Sequence, residues 1–328
     1  MTTTPTKTTP IYSLNWLRGI AAVLVCLYHF KAYVWHNETP NLVLQFISYG
    51  HLGVIMFFVI SGFIIPYSLY NNNYSITNFT QFLAKRTLRI EPPYIITIGL
   101  IILVKYYIFT RISGIPFVLD TKQILLNVTY IAPFVNVEWI NVIFWTLAIE
   151  FQFYLLTGSI YPLLMRSKWY KYSLFVALLA LGFIVPDKYQ TVFHNYIYFV
   201  VGFQSFLFFT KNIALTEFIV SIVASVLFMY VFKKIEVIPF VLFTVVGIFT
   251  LNYKNQIANF FGNISYSLYL THGLIGGNIA LIIKPEVPKY IVYVLILFNA
   301  ITFAYIYYNV IERLFLNLSK KIKYSGNI

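Results

Sequence analysis

The strongest constraint on this chain is a series of apolar segments, each about as long as a helix that crosses a lipid bilayer. A transmembrane helix needs about 20 predominantly apolar residues, and this sequence contains ten candidate segments. Because no water reaches the backbone inside a bilayer, such segments are expected to be α-helical. The candidates are residues 14–34, 46–70, 93–109, 143–164, 173–186, 192–209, 215–232, 237–251, 263–283 and 290–312.

The composition supports an all-α polytopic membrane protein and argues against a soluble enzyme. Hydrophobic residues make up 59% of the chain and charged residues 10%, whereas soluble domains carry about 25% charged residues. The net charge of +13 is interpreted as a signal of membrane topology, so no nucleic-acid partner is predicted. A single cysteine, Cys26, excludes an intrachain disulfide and a cysteine-based metal site, and no metal is predicted.

The distribution of basic residues predicts the orientation. An even number of spans places both termini on one side, and Lys and Arg favour cytoplasmic loops. The densest basic clusters, at 85–89, 166–171 and 313–323, fall on the side of the termini, so both termini are predicted to be cytoplasmic. The predicted organisation is a disordered cytoplasmic tail at 1–13, a transmembrane domain at 14–316 and a basic cytoplasmic tail at 317–328.

The first candidate span contains two ionisable residues, Arg18 and His29. They are eleven residues apart, which places them on one helical face about 16 Å apart along the axis. Ionisable groups inside a membrane are costly and are functional candidates by default. The alternative for Arg18 is that it lies near the inner interface and reaches lipid phosphate.

Glu150 lies in the fourth candidate span at a depth that matches that of His29. Counted from Ile143, Glu150 is about 10 Å below the outer edge, and His29, counted from Val34, is about 8 Å below it. A carboxylate beside an imidazole can orient it as a general base. We therefore predict that His29 and Glu150 form a catalytic pair, with Arg18 as a further functional candidate on the same span as His29. The alternative is that these residues form structural pairs that hold the helices together.

The segment FLAKRTLRIEPPY places Arg86 and Arg89 on one helical face, because they are at positions i and i+3. Two arginines on one face can bind phosphate groups in forked geometry. The alternative is a basic anchor at the cytoplasmic interface. The Pro92–Pro93 pair is expected to open the third span, since proline is tolerated in a first helical turn.

Tyr266, Tyr269 and His272 lie near the middle of the ninth candidate span. Their spacing of i, i+3 and i+6 places them broadly along one side of a helix. Side chains placed this way are candidates for lining a polar tunnel in which a ligand binds. The alternative is that the tyrosines are core aromatics and that a neighbouring group satisfies His272.

Five segments, in this order, resemble the acyltransferase-3 family of bacterial membrane-bound carbohydrate O-acyltransferases. LNWLRGIAAVLVCLYHF is similar to the first span of the family, with an Arg eleven residues before a His, and HLGVIMFFVISGFII to its second span. FLAKRTLRIEPPY resembles its Arg-x-x-Arg segment, and ISYSLYLTH its late Tyr-Leu-x-His segment. WTLAIEFQFY resembles its Trp-x-Leu and Glu segment, although Thr146 stands where Ser is common.

The resemblance implies transfer of an acyl group, usually acetyl, from acyl-coenzyme A to a sugar hydroxyl. The essential Arg and His of the family carry over to Arg18 and His29, and its pair that holds coenzyme A carries over to Arg86 and Arg89. The implied partners are acetyl-CoA, membrane lipid and a glycan acceptor such as O-antigen or exopolysaccharide. The implied location is the bacterial inner membrane.

Two other classes of function stay open at this point. A glycan flippase or exporter would also bury ionisable groups in many spans, but paired halves with inverted repeats are not visible in the sequence. A non-catalytic assembly protein is the third class. It predicts that substitution of His29 changes only stability or complex formation.

Overall fold

The computed structural model describes residues 11–35, 41–283 and 286–324, and this part of the chain is all-helical, without strands. Residues 1–10 of the predicted N-terminal tail and 325–328 of the predicted C-terminal tail lie outside the described residues. The helices are α1 Ser13–Val34, α2 Leu42–Ser48, α3 Gly53–Asn71, α4 Phe79–Tyr107, α5 Thr121–Val128, α6 Phe144–Leu164, α7 Lys168–Ile184, α8 Val192–Phe209, α9 Leu215–Phe232, α10 Val237–Thr250, α11 Gln256–Ile282, α12 Lys289–Tyr307 and α13 Arg313–Lys320.

The prediction of an all-helical membrane protein is confirmed, with seven helical stretches in the described residues long and apolar enough to cross a bilayer. Each of the ten predicted segments overlaps a helix. Three of those helices fall outside the seven: α7, α10 with 14 residues, and α11. The count of ten spans and the cytoplasmic termini therefore stay predictions.

The expectation that Pro92 and Pro93 open the third span is wrong, because α4 runs continuously from Phe79 to Tyr107 with both prolines inside it. Proline removes a backbone donor and normally breaks a helix. Here hydroxyl groups of neighbouring helices bond to the backbone around the pair. Tyr266 donates to the Ile90 carbonyl at 2.8 Å, and Tyr307 donates to the Pro93 carbonyl at 2.5 Å. These two bonds join α4 to α11 and α12 beside the proline pair.

Two glycines bring α3 and α8 into backbone contact at the centre of the bundle. A Cβ atom added at Gly202 would lie 2.0 Å from the carbonyl oxygen of Val59, and one added at Gly62 would lie 2.2 Å from that of Phe199. Both distances are below any van der Waals contact, so only glycine permits this approach. The close packing holds α3, which carries one wall of the site described below.

Gly202→Ala is expected to destabilise the protein by about 1–3 kcal/mol, because the added methyl group must separate α3 from α8. Thermal unfolding in detergent measures the effect. Gly99→Ala is the matched control, since a Cβ added at Gly99 meets nothing within 4 Å. Equal unfolding temperatures for wild type and the Gly202 variant would contradict the packing argument.

Candidate active site

A cavity of about 300 Å³ lies between α1, α3, α4, α6 and α11. Six of the eight predicted site residues line it, although they come from four helices that are distant in the sequence. The polar lining residues are Asn15, Arg18, Ser61, Arg86, Arg89, Thr146, Glu150, Tyr154, Tyr266 and Tyr269. His29 and His272 are not among the described lining residues.

Three arginines give the cavity an excess of positive charge. Arg18, Arg86 and Arg89 face it together with the carboxylate of Glu150. The two ion pairs found in the described residues, Lys171–Glu217 and His194–Asp187, include none of these arginines. A buried charge without a partner is costly in an apolar bundle. The cavity is therefore chemically suited to an anionic ligand that carries more than one negative charge.

Arg86 is the most buried of the three, with 9% of its surface exposed. Its guanidinium carbon lies 5.8 Å from the centre of the Phe82 ring and 5.9 Å from that of Tyr154. Its Nε atom has no hydrogen-bond partner among the described residues. The aromatic rings hold the guanidinium in place, and the side chain faces the cavity.

Glu150 is held by two hydroxyl groups. Its Oε1 atom accepts a hydrogen bond from Ser61 at 3.0 Å and another from Tyr154, one helical turn further along α6. No hydrogen bond of the described residues joins Glu150 to His29. The predicted His29–Glu150 interaction therefore stays a prediction.

His29 lies outside the cavity, beside His272. The centres of the two imidazole rings are 5.1 Å apart. The Tyr269 ring is 5.9 Å from that of His272, and its hydroxyl group is hydrogen-bonded to Thr146 at 2.6 Å. Because Tyr269 also lines the cavity, it connects the arginine-lined cavity to the histidine pair. The structure thus places the eight predicted residues in two adjacent groups.

Some residues that shape the site were missed from the sequence. Tyr154 is four residues after Glu150, the spacing that brings side chains together on a helix, so this signal was present. Glu312 was also missed, although the sequence shows it as a carboxylate at the end of an apolar segment. It is 3% exposed and accepts hydrogen bonds from the Ser267 amide at 3.1 Å and hydroxyl at 2.5 Å. This contact fixes the part of α11 that carries Tyr266 and Tyr269.

In the described part of the chain, no group of three or more His, Cys, Asp or Glu side chains is arranged to hold a metal ion. Cys26, the single cysteine, is buried and not bonded to another cysteine.

Comparison with known proteins identifies the family. A sequence model described as an acyltransferase domain matches residues 11–309, nearly the whole chain. The chain belongs to the acyltransferase-3 family. The resemblance found in the five ordered motifs is therefore confirmed, and the arginine-lined cavity is a feature of an acyltransferase-3 protein.

The curated relatives include O-acetyltransferase OatA of Staphylococcus aureus strains NCTC 8325 / PS 47, COL and MRSA252. Each is 28% identical over 210 residues, which cover 57% of this chain and 31% of the relative. The chain thus matches about a third of the length of these relatives. No solved structure matches the chain significantly.

Glu150→Gln is expected to strengthen the binding of pyrophosphate by about tenfold. The substitution removes the negative charge from the lining while the three arginines stay, and a charge at about 10 Å contributes roughly 1–2 kcal/mol at an effective dielectric constant of 20. Titration calorimetry in detergent measures this change. Ser61→Ala, which removes one hydrogen bond and no charge, serves as the control. Unchanged affinity in the Glu150 variant would show that the anion does not enter this cavity.

Proposed function

We propose that this chain transfers an acetyl group from acetyl-coenzyme A to a hydroxyl group of a surface or lipid-linked glycan, in the bacterial inner membrane. The observation that carries the proposal is the cavity lined by three arginines and a single carboxylate, within a family of acyltransferases. Relatives named as O-acetyltransferases support acetyl as the group and oxygen as the acceptor atom.

The donor is assigned to the arginine-lined cavity. Coenzyme A carries several phosphate groups, and guanidinium groups bind phosphate through parallel N–H bonds. Arg86 and Arg89 are one helical turn apart and face the cavity together, so they are proposed to hold these phosphates. Arg18, Tyr266 and Tyr269 would line the path of the pantetheine arm toward His29, with Glu150 balancing part of the positive charge.

His29 is proposed as the general base. It removes the proton from the acceptor hydroxyl group while the hydroxyl oxygen attacks the thioester carbonyl. The carbon–sulfur bond then breaks, and coenzyme A leaves as a thiolate that takes up the proton held by His29, which restores the neutral base. His29 is half-buried, and its ring lies next to that of His272, which in turn lies next to the ring of the cavity-lining Tyr269. This position suits a base that meets the acceptor at one end of the donor path.

His29→Ala is expected to lower acetyl transfer by a factor of about 10²–10⁴, the usual contribution of a general base. The measurement is coenzyme A release from acetyl-coenzyme A by purified protein with a glycan acceptor. His194→Ala is the matched control, because its ring lies beside Thr191 and Asp187, in a different part of the bundle. Equal release by wild type and the His29 variant would remove His29 from the mechanism.

Arg86→Gln and Arg89→Gln are each expected to raise the KM for acetyl-coenzyme A by about 10- to 100-fold. This is the effect of losing one charge-assisted phosphate contact of about 1.5–3 kcal/mol. Arg166→Gln is the control, since Arg166 is exposed and its guanidinium carbon lies 5.3 Å from the Tyr170 ring centre, away from the cavity. Donor binding that is unchanged in both cavity variants would refute the phosphate site. Wild-type protein that binds no acetyl-coenzyme A would favour a glycan transporter.

A further inference from the structure

His272 is held in one orientation by its own helix. It is fully buried, and its Nδ1 atom lies 2.7 Å from the Tyr269 carbonyl oxygen and 3.2 Å from that of Leu268. Carbonyl oxygens only accept hydrogen bonds. Nδ1 therefore carries the proton, and the lone pair of the neutral ring is on Nε2, at the edge that faces away from the α11 backbone.

The Nε2 atom of His272 has no hydrogen-bond partner within the described part of the chain. An unsatisfied acceptor in an apolar interior costs about 1–3 kcal/mol and calls for an explanation. On the adjacent helix α1, the rings nearest to His272 are those of His29 and Phe30, with centres at 5.1 Å and 6.1 Å. Phe30 has no polar atom, so His29 is the ring that can supply a donor.

His29 is itself without a hydrogen bond to the described residues. The other aromatic ring near His29 is that of Tyr28, with ring centres 5.0 Å apart. The ring centre of His51 lies 5.2 Å from that of Tyr28. At a centre-to-centre distance of 5.1 Å, nitrogens on the facing edges of the two rings come within hydrogen-bond range when the His29 ring turns toward Nε2. Nε2 of His272 is thus a buried acceptor without a partner among the described residues, beside a ring that can donate an N–H.

We propose that His272 is a positioning residue for His29, an inference that rests on the proposed function. Its Nε2 accepts the N–H of His29, so the second nitrogen of His29 is unprotonated and faces the acceptor hydroxyl. When that nitrogen takes the hydroxyl proton, the hydrogen bond to Nε2 becomes charge-assisted and stronger. Enzymes that use a general base commonly orient it by a hydrogen bond to another side chain.

In this assignment His272 contacts His29 and not the donor, so the donor path ends at Tyr269.

The kinetic test compares three substitutions of His272. The amide oxygen of His272→Gln can occupy the position of Nε2, whereas His272→Asn places its amide near Nδ1 and His272→Phe keeps only the volume. We expect kcat to fall by about 10²- to 10³-fold in the Asn and Phe variants and to recover to within tenfold in the Gln variant. The KM for acetyl-coenzyme A is expected to stay unchanged in all three.

Several results would overturn the assignment. A raised KM for the donor with unchanged kcat would place His272 in the donor path, and a raised KM for the glycan with unchanged kcat would make it a hydroxyl-binding residue. Wild-type kcat in the Asn variant, or equal losses in the Gln and Phe variants, would remove the acceptor role. A kcat loss in His51→Gln that is absent in His272→Asn would make His51 the partner.

A spectroscopic test does not depend on turnover, so failure of the proposed function and failure of this inference remain distinguishable. Ring nitrogen-15 shifts of protein labelled at its five histidines, with His29→Asn to assign the signal, give the tautomer of His29. We expect one tautomer in wild type and His272→Gln and a mixture in His272→Phe. The same tautomer pattern in all three would refute the positioning role even if the protein transfers no acyl group.

Discussion

The burial of three guanidinium groups among apolar helices is the interaction on which this site depends. Arg18, Arg86 and Arg89 line one cavity with a single carboxylate, Glu150, among the described lining residues. Charges inside a membrane protein are costly unless they are paired. The excess positive charge is therefore maintained by the surrounding fold, and a polyanionic ligand would relieve it. This gives a physical reason for the proposed placement of a phosphate-bearing donor in this cavity.

The helices around the cavity are held by contacts that only particular residue types allow. Gly62 and Gly202 let α3 approach α8, and Ser61 on α3 donates a hydrogen bond to Glu150 on α6. The Tyr266 hydroxyl bonds to the backbone of α4 beside the proline pair, and this contact joins α11 to the helix that carries Arg86 and Arg89. The same tyrosines that were predicted to line a tunnel thus also keep two walls of the cavity together.

Much of the site was predictable from the residue types. An ionisable or hydroxyl side chain in an apolar segment is costly enough to be informative, and this criterion identified six residues that the structure brings to one cavity. Residue type was less informative about which polar side chains contact each other. Depth along the membrane normal matched His29 with Glu150, whereas Glu150 bonds to Ser61 and Tyr154. The proline pair was similarly misinterpreted as a helix start, whereas α4 continues through it.

By itself, the sequence determined that the chain is helical and membrane-embedded, because a long apolar segment in lipid can satisfy its backbone only internally. Its ordered motifs also determined the family. Only the tertiary structure decided which polar side chains share a cavity and which face each other outside it. Residue spacing specifies the height and face of a side chain on its own helix. The rotation of that helix and the identity of its neighbours depend on packing between segments that are far apart in the sequence.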